Sequence, residues 1–254
     1  PTHAEMVRLM AVVLALVLMC VGPLATLIEE PQLHDGHAGG AEIRRVFTLP
    51  LARAGIIIGL GFAAVIGTFE AIAARFIKDL GGTDGEMVVV MVALFIPLVV
   101  AMRIAGKLVD HVGPVRAGAV SLVVAFPFIG VFGMTRNLWV VATMAALVAL
   151  AYSVVYTSGQ AAVAGATVPR GLSGAGQGAY EATYAVGAMF SAWMAPRIYD
   201  RSDAMPMWTF VAAMTVTAAI VAWWTAGETR SEEVHMAELE EHMYEELFDH
   251  PSAG

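Results

Sequence analysis

Gly106-Lys107-Leu108-Val109-Asp110-His111-Val112-Gly113-Pro114-Val115-Arg116 stands between two charge-free apolar runs, Met87–Met102 and Ala117–Thr135. A helix needs about 20 mostly apolar residues to cross the hydrocarbon core of a bilayer, and each run comes close to that length. The segment between them carries charge and two glycines, so it reads as a short polar turn joining two spans. Its glycines permit close helix approach and a tight turn. A carboxylate such as Asp110 is favourable beside an arginine or at a neighbouring helix N-terminus.

Working outward, the same pattern recurs along the chain. Leu9–Ile28 is free of charge, Ala54–Ala74 is interrupted only by Glu70, and Asn137–Pro169 is longer than one span needs. A further run covers about 176–196 and contains Glu181, and Ala204–Gly227 is the last. Lone strands would leave backbone groups unpaired in lipid, and no ten-residue alternation is present, so helix is the expected state. The expected fold class is all-α: a polytopic membrane protein with seven transmembrane helices. The connections agree with this. Thr83 and Glu86 form a capping box, Thr135-Arg136-Asn137 is a tight hairpin, and Asp203 offers a cap just before Pro206.

Composition supports the same class. The chain has 254 residues, 58% of them hydrophobic and 14% charged, against roughly 45–50% and 25% in soluble domains. The formal charge of −8 is that of the segment from Glu228 onward, which holds nine acids and one Arg. The first 227 residues balance 13 basic against 13 acidic side chains. A disordered acidic protein is excluded. No basic block points to nucleic acid. Cys20 is the single cysteine, which leaves no disulfide framework and no thiolate metal site.

Four segments are expected: a transmembrane helix over 1–28, a linker over 29–51 rich in Glu, His, Gly and Pro, a six-helix body over 52–227, and an acidic tail over 228–254. With linker and tail cytoplasmic, that side gathers Arg44, Arg45, Arg53, Arg103, Lys107, Arg116, Arg170 and Arg230. The outer side then holds Arg8, Arg75, Lys78, Arg136, Arg197 and Arg201. Eight against six favours this orientation. The opening at Pro1, without Met or a basic n-region, argues against a signal peptide and leads us to expect further chain upstream.

The Gly106–Arg116 segment resembles the signature of the major facilitator superfamily, G-x-L-a-D-r-x-G-r-r, which lies at a cytoplasmic turn between two spans. Gly106, Leu108, Asp110, Gly113 and Arg116 fit it; His111, Pro114 and Val115 depart from its basic cluster. Three spans precede the signature and four follow, with a long linker after the first. The resemblance therefore implies the last helix of an N-terminal half followed by a whole C-terminal half, matching helices six to twelve of a twelve-helix transporter. It implies secondary transport of a small solute by alternating access, resembling drug/proton antiporters in an inner or plasma membrane. The implied partners are lipid, the solute and the missing N-terminal half. No cofactor is expected beyond a coupling proton.

Polar groups inside spans are costly and draw attention first. Glu70, with Thr68 nearby, is a candidate proton carrier, since burial raises a carboxyl pKa toward neutrality. Otherwise it is an interfacial acid paired with Arg75. Glu181 is either a coupling carboxylate or a first-turn acid favoured by the helix dipole. Tyr152, Tyr156 and Gln160 form one stripe at four-residue spacing, beside Ser153 and Thr157. That stripe lines a cavity or bonds a neighbouring helix. In the superfamily, helices seven and ten line the central cavity, and by this count they carry Glu70 and the stripe. The resemblance further implies a cytoplasmic network of Asp110, Arg116, Arg170 and Glu228 that biases one conformation.

The tail reads as an amphipathic helix, with Met236, Leu239, Met243 and Leu247 on one side. His235, Glu238 and His242 share a face, as a solvated acidic surface rather than a metal site; His34 and His37 in the linker read the same way. Two other classes fit the chain less well. A seven-helix receptor remains the alternative, or a membrane interaction protein without transport activity, but a retinal Schiff base fails because Lys78 and Lys107 both lie in loops. An intramembrane enzyme lacks any GxGD, HExxH or nucleophile–base pair within the spans.

Overall fold

The computed structural model describes the backbone of residues 40–248 and the side chains of residues 40–227. The first expected span, most of the linker with His34 and His37, and the side chains of Glu228, His235, Glu238 and His242 lie outside the described residues. Within them are seven α-helices and no strand. They are α1 (Gly40–Val46), α2 (Pro50–Asp79), α3 (Asp84–Val112), α4 (Pro114–Met134), α5 (Leu138–Thr167), α6 (Ser173–Ser202) and α7 (Ala204–Phe248). A single 3₁₀ turn, Val168–Arg170, joins α5 to α6.

Five of these are long and apolar enough to cross a membrane: α2, α3, α4, α5 with its 3₁₀ turn, and α7 over Ala204–Gly227. The sixth expected span falls within α6, which is as long as α2 but much less apolar. Glycine, serine, Gln177, Glu181 and three tyrosines dilute its hydrophobicity.

The helices are longer than the apolar runs within them. At 1.5 Å per residue a 30-residue helix reaches about 45 Å, against roughly 30 Å of hydrocarbon, so a helix of this length has room for charged ends beyond an apolar middle. This corrects the expected loop at 106–116. Gly106–Val112 is instead the end of α3, and the turn is reduced to one residue, Gly113, at φ 93° and ψ 144°. Only glycine enters that region freely, and Pro114 then opens α4 with the φ that a first helical turn wants. The linker also ends earlier than expected. Its last part is α1, whose Val46 is buried with Ala52, Ile56, Val163 and Tyr180.

The other punctuation lies where the sequence puts it. At the start of α3, Thr83 accepts from the Glu86 amide while the Glu86 carboxylate accepts from the Thr83 amide at 2.8 Å. Asn137 caps α5 by accepting from the Trp139 amide at 2.9 Å. Asp203 ends α6 with φ 77°, the sole non-glycine positive φ among the described residues.

Packing follows a plan that repeats. α2, α5, α4 and α7 form a ring of neighbours; α6 packs along α2, and α3 along α5. Exchanging α2 with α5, α3 with α6 and α4 with α7 leaves this set of contacts unchanged: α2–α6 becomes α5–α3, α2–α7 becomes α5–α4, while α2–α5 and α4–α7 map onto themselves. α2 and α6 run parallel, since Gly59 meets Tyr180, Gly67 meets Ala188 and Arg75 reaches Asp200. The single turns between successive helices reverse the chain each time. The second triplet of helices therefore runs opposite to the first.

The two inner helices earn their place by composition. In α2, 78% of the most apolar window is buried, against 17% in α3. Lipid tails offer no hydrophobic drive between helices, so close contact depends on small residues and van der Waals packing. Gly67 lies directly on the Ala188 backbone, where no Cβ fits. Trp208 of α7, fully buried, fills the ring against Phe69 and Phe76 of α2 and Phe132 of α4, with centroids 4.8–5.6 Å away.

Candidate functional site

Phe62, midway along α2, is enclosed by three tyrosines. Tyr152 and Tyr156 of α5 each stand 5.4 Å from its ring and Tyr184 of α6 stands 5.7 Å away. These are tilted aromatic contacts of a favourable kind. So α2, α5 and α6 bring two half-buried tyrosines, Tyr156 and Tyr184, around Phe62, with the exposed Glu70 two turns farther along α2 and the exposed Glu181 about one turn before Tyr184 on α6.

Two of the sequence candidates are already bonded within the bundle. Thr68 is fully buried and donates to the Ala64 carbonyl of its own helix at 2.8 Å. Tyr152 is 1% exposed; its hydroxyl lies 3.2 Å from both the Gly61 carbonyl and the Thr215 hydroxyl, tying α5 to α2 and α7. Tyr156 and Gln160 are half-buried on the same stripe. Ser153 and Thr157 bond back to the Leu150 and Ser153 carbonyls at 2.7 and 2.8 Å. Glu181 accepts from Gln177 one turn earlier at 3.0 Å.

Glu70 is not paired with Arg75. Arg75 instead binds Asp200 of α6, has its Nε 3.8 Å from Asp79, and lies 5.0 Å above the Tyr199 ring. Tyr199 donates to Asp79 at 2.7 Å. This cluster fastens the ends of α2 and α6 together and borders a cavity of about 700 Å³, lined also by Arg136 and Asp203. Arg75, Tyr199 and Asp200 were not foreseen as a unit, because their partners are about 125 residues apart in the chain.

At the opposite end lie three of the four residues of the expected charge network; the fourth, Glu228, has its side chain outside the described residues. Asp110 and Arg116 are both exposed and form no ion pair with each other, and Arg170 donates to the Ala166 carbonyl at 2.8 Å. Gly106 faces open space. Among the described residues no group of three or more His, Cys, Asp or Glu is placed to hold a metal.

The sequence reading missed Phe62, Tyr180 and Tyr184. The last two sit four residues apart in GQGAYEATYAVGA, a helical spacing that was there to be read. Tyr180 is buried between α2 and α5, against Gly59 and Gly159.

Comparison of the sequence with protein-family models and with curated proteins returns no match.

Proposed function

We propose that this chain is the larger part of a secondary transporter of the major facilitator type: the last helix of one half and all of the other. It moves a small solute by alternating access, coupled to protons, and acts as an efflux antiporter in the cell membrane. The observation that carries this reading is the repeat in helix packing. A bundle whose two helix triplets run in opposite senses, and exchange while preserving its six main helix contacts, fits the inverted repeats from which many transporters are built.

The signature segment agrees with it. In this reading α2 and α5 are the cavity helices of their half, and they supply Glu70, Phe62, Tyr156 and Gln160. Glu70 carries the proton, Tyr156 and Tyr184 face the solute, and Glu181 tunes the charge of the same region. An exposed acid in an otherwise apolar span is expensive against lipid, so a water-filled cavity shared with the missing half is its natural setting. The Arg75–Asp200 and Tyr199–Asp79 contacts hold the outer ends of α2 and α6 as one rigid pair while the halves rock.

Membrane topology tests the reading directly. In a Cys20→Ala background, single cysteines at Gly81, Arg136 and Asp203 should be labelled from one side of the membrane. Cysteines at Gly113 and Gly171 should be labelled from the other. Labelling of Gly171 and Asp203 from the same side would mean that α6 does not cross, and the six-helix half would be lost.

A further inference from the structure

We propose that the groove between α4 and α7 binds one anionic phospholipid, with an acyl chain in the groove and the phosphate on Arg116. This rests on the chain crossing a bilayer and not on its transporting anything.

The groove arises from a contrast in side-chain size. Ala119 and Ala219, 4% and 2% exposed, form its floor, where small residues let the helices approach. Val120, Val123 and Val124 rise on one side and Ile220, Trp223 and Trp224 on the other. The cavity is about 350 Å³ and almost wholly apolar. At about 30 Å³ per carbon group, equal to a water's share of liquid volume, it takes roughly a dozen methylenes. An apolar groove at this depth stays dry, and the chain at hand to fill it is a lipid tail.

A tail gains little on moving from other tails into a protein groove, so the headgroup must supply the selectivity. Arg116 is placed for that. It precedes Val120 by four residues, one turn toward the membrane surface on the same stripe of α4. Helices α4 and α7 are antiparallel in register: Gly133 meets Met205, and Leu122 and Ala218 meet at Gly61. Continuing that register puts Arg116 level with Trp224. Arg116 is exposed and forms no ion pair among the described side chains, which end at Gly227. A guanidinium matches a phosphate through two parallel hydrogen bonds, and Trp belongs at the headgroup boundary. Arg116 and Trp224 mark the site's mouth.

The test uses the whole chain in liposomes, with Trp139→Phe and Trp193→Phe leaving Trp223 and Trp224 at the groove and Trp208 in the core. Acyl-brominated phosphatidylglycerol and phosphatidylcholine are compared as quenchers of Trp fluorescence. Phosphatidylglycerol should reach half-maximal quenching at about fivefold lower mole fraction, as expected for one cation at the surface. Arg116→Gln should bring the two lipids together. Equal quenching in the parent chain would overturn the site and leave the bilayer crossing intact. Weak quenching by both with a cross-linked dimer would assign the face to a second copy. Quenching by neither, without a dimer, would remove the site and the crossing together.

Discussion

Gly67 of α2 lies so close to Ala188 of α6 that a side chain at position 67 would run into the Ala188 backbone. This contact holds the parallel pair that carries Glu70 on one helix and Glu181 with Tyr184 on the other. Overpacking a tight contact costs about 1–3 kcal/mol. Gly67→Ala should therefore lower the midpoint of thermal unfolding in detergent. Gly106→Ala, at a helical site with open space around it, should leave the midpoint unchanged or raise it slightly.

The buried Tyr152 hydroxyl is a structural tie. Tyr152→Phe removes this partner from the Gly61 carbonyl and the Thr215 hydroxyl, both of which keep a bond within their own helices, at about 0.5–1.5 kcal/mol for a lost hydrogen bond. Thr215→Val should cost less, because the Tyr152 hydroxyl then still donates to the Gly61 carbonyl. The double variant should fall short of the sum, since both substitutions break one contact. Additive losses in thermal unfolding would place the two residues in separate interactions.

Tyr156 is the counterpart on the same stripe. Half-buried and beside Phe62, it has no structural bond to lose, so Tyr156→Phe should leave the unfolding midpoint within about 0.5 kcal/mol of the parent. In the complete transporter it should raise the KM for solute. A destabilised variant with unaltered KM would make Tyr156 a packing residue like Tyr152.

At the C-terminal ends of α2 and α6, hydrogen bond and ion pair are separable. Tyr199→Phe removes the bond to Asp79 and should cost about 0.5–1.5 kcal/mol. Asp200→Asn removes an exposed ion pair worth about 0–1 kcal/mol, and high salt should erase its effect. Equal salt sensitivity of both variants would make the cluster purely electrostatic.

The helices were legible because lipid solvation demands long apolar runs; four of the six described runs fall inside long helices, and Ala117–Thr135 and Asn137–Pro169 overshoot theirs by one to three residues. Their ends were less so. A charged helix end costs little once it leaves the hydrocarbon, and Lys107, Asp110 and His111 therefore looked like loop while forming the close of α3. The low apolarity of α6 has a similar cause: a helix packed along α2 and bearing two tyrosines toward a shared face does not need a fully lipid-like surface. Within the site, Glu70, Glu181 and Tyr156 stood out as polar groups in apolar surroundings. Phe62 did not, because an aromatic among aliphatics carries no such contrast. The partners of Arg75 were hidden for another reason: periodicity is local, and Asp200 is reached only through the parallel packing of α2 on α6.

Proton-coupled flux is the most direct measurement. The chain, extended upstream by its native coding sequence, is reconstituted in liposomes with a trapped pH dye and challenged with a panel of small organic solutes. For at least one solute the half-transporter reading requires saturable proton movement, abolished by Glu70→Gln and absent when the 254-residue chain is used alone. Robust saturable transport by the isolated chain, or unchanged pH dependence in Glu70→Gln, would contradict it.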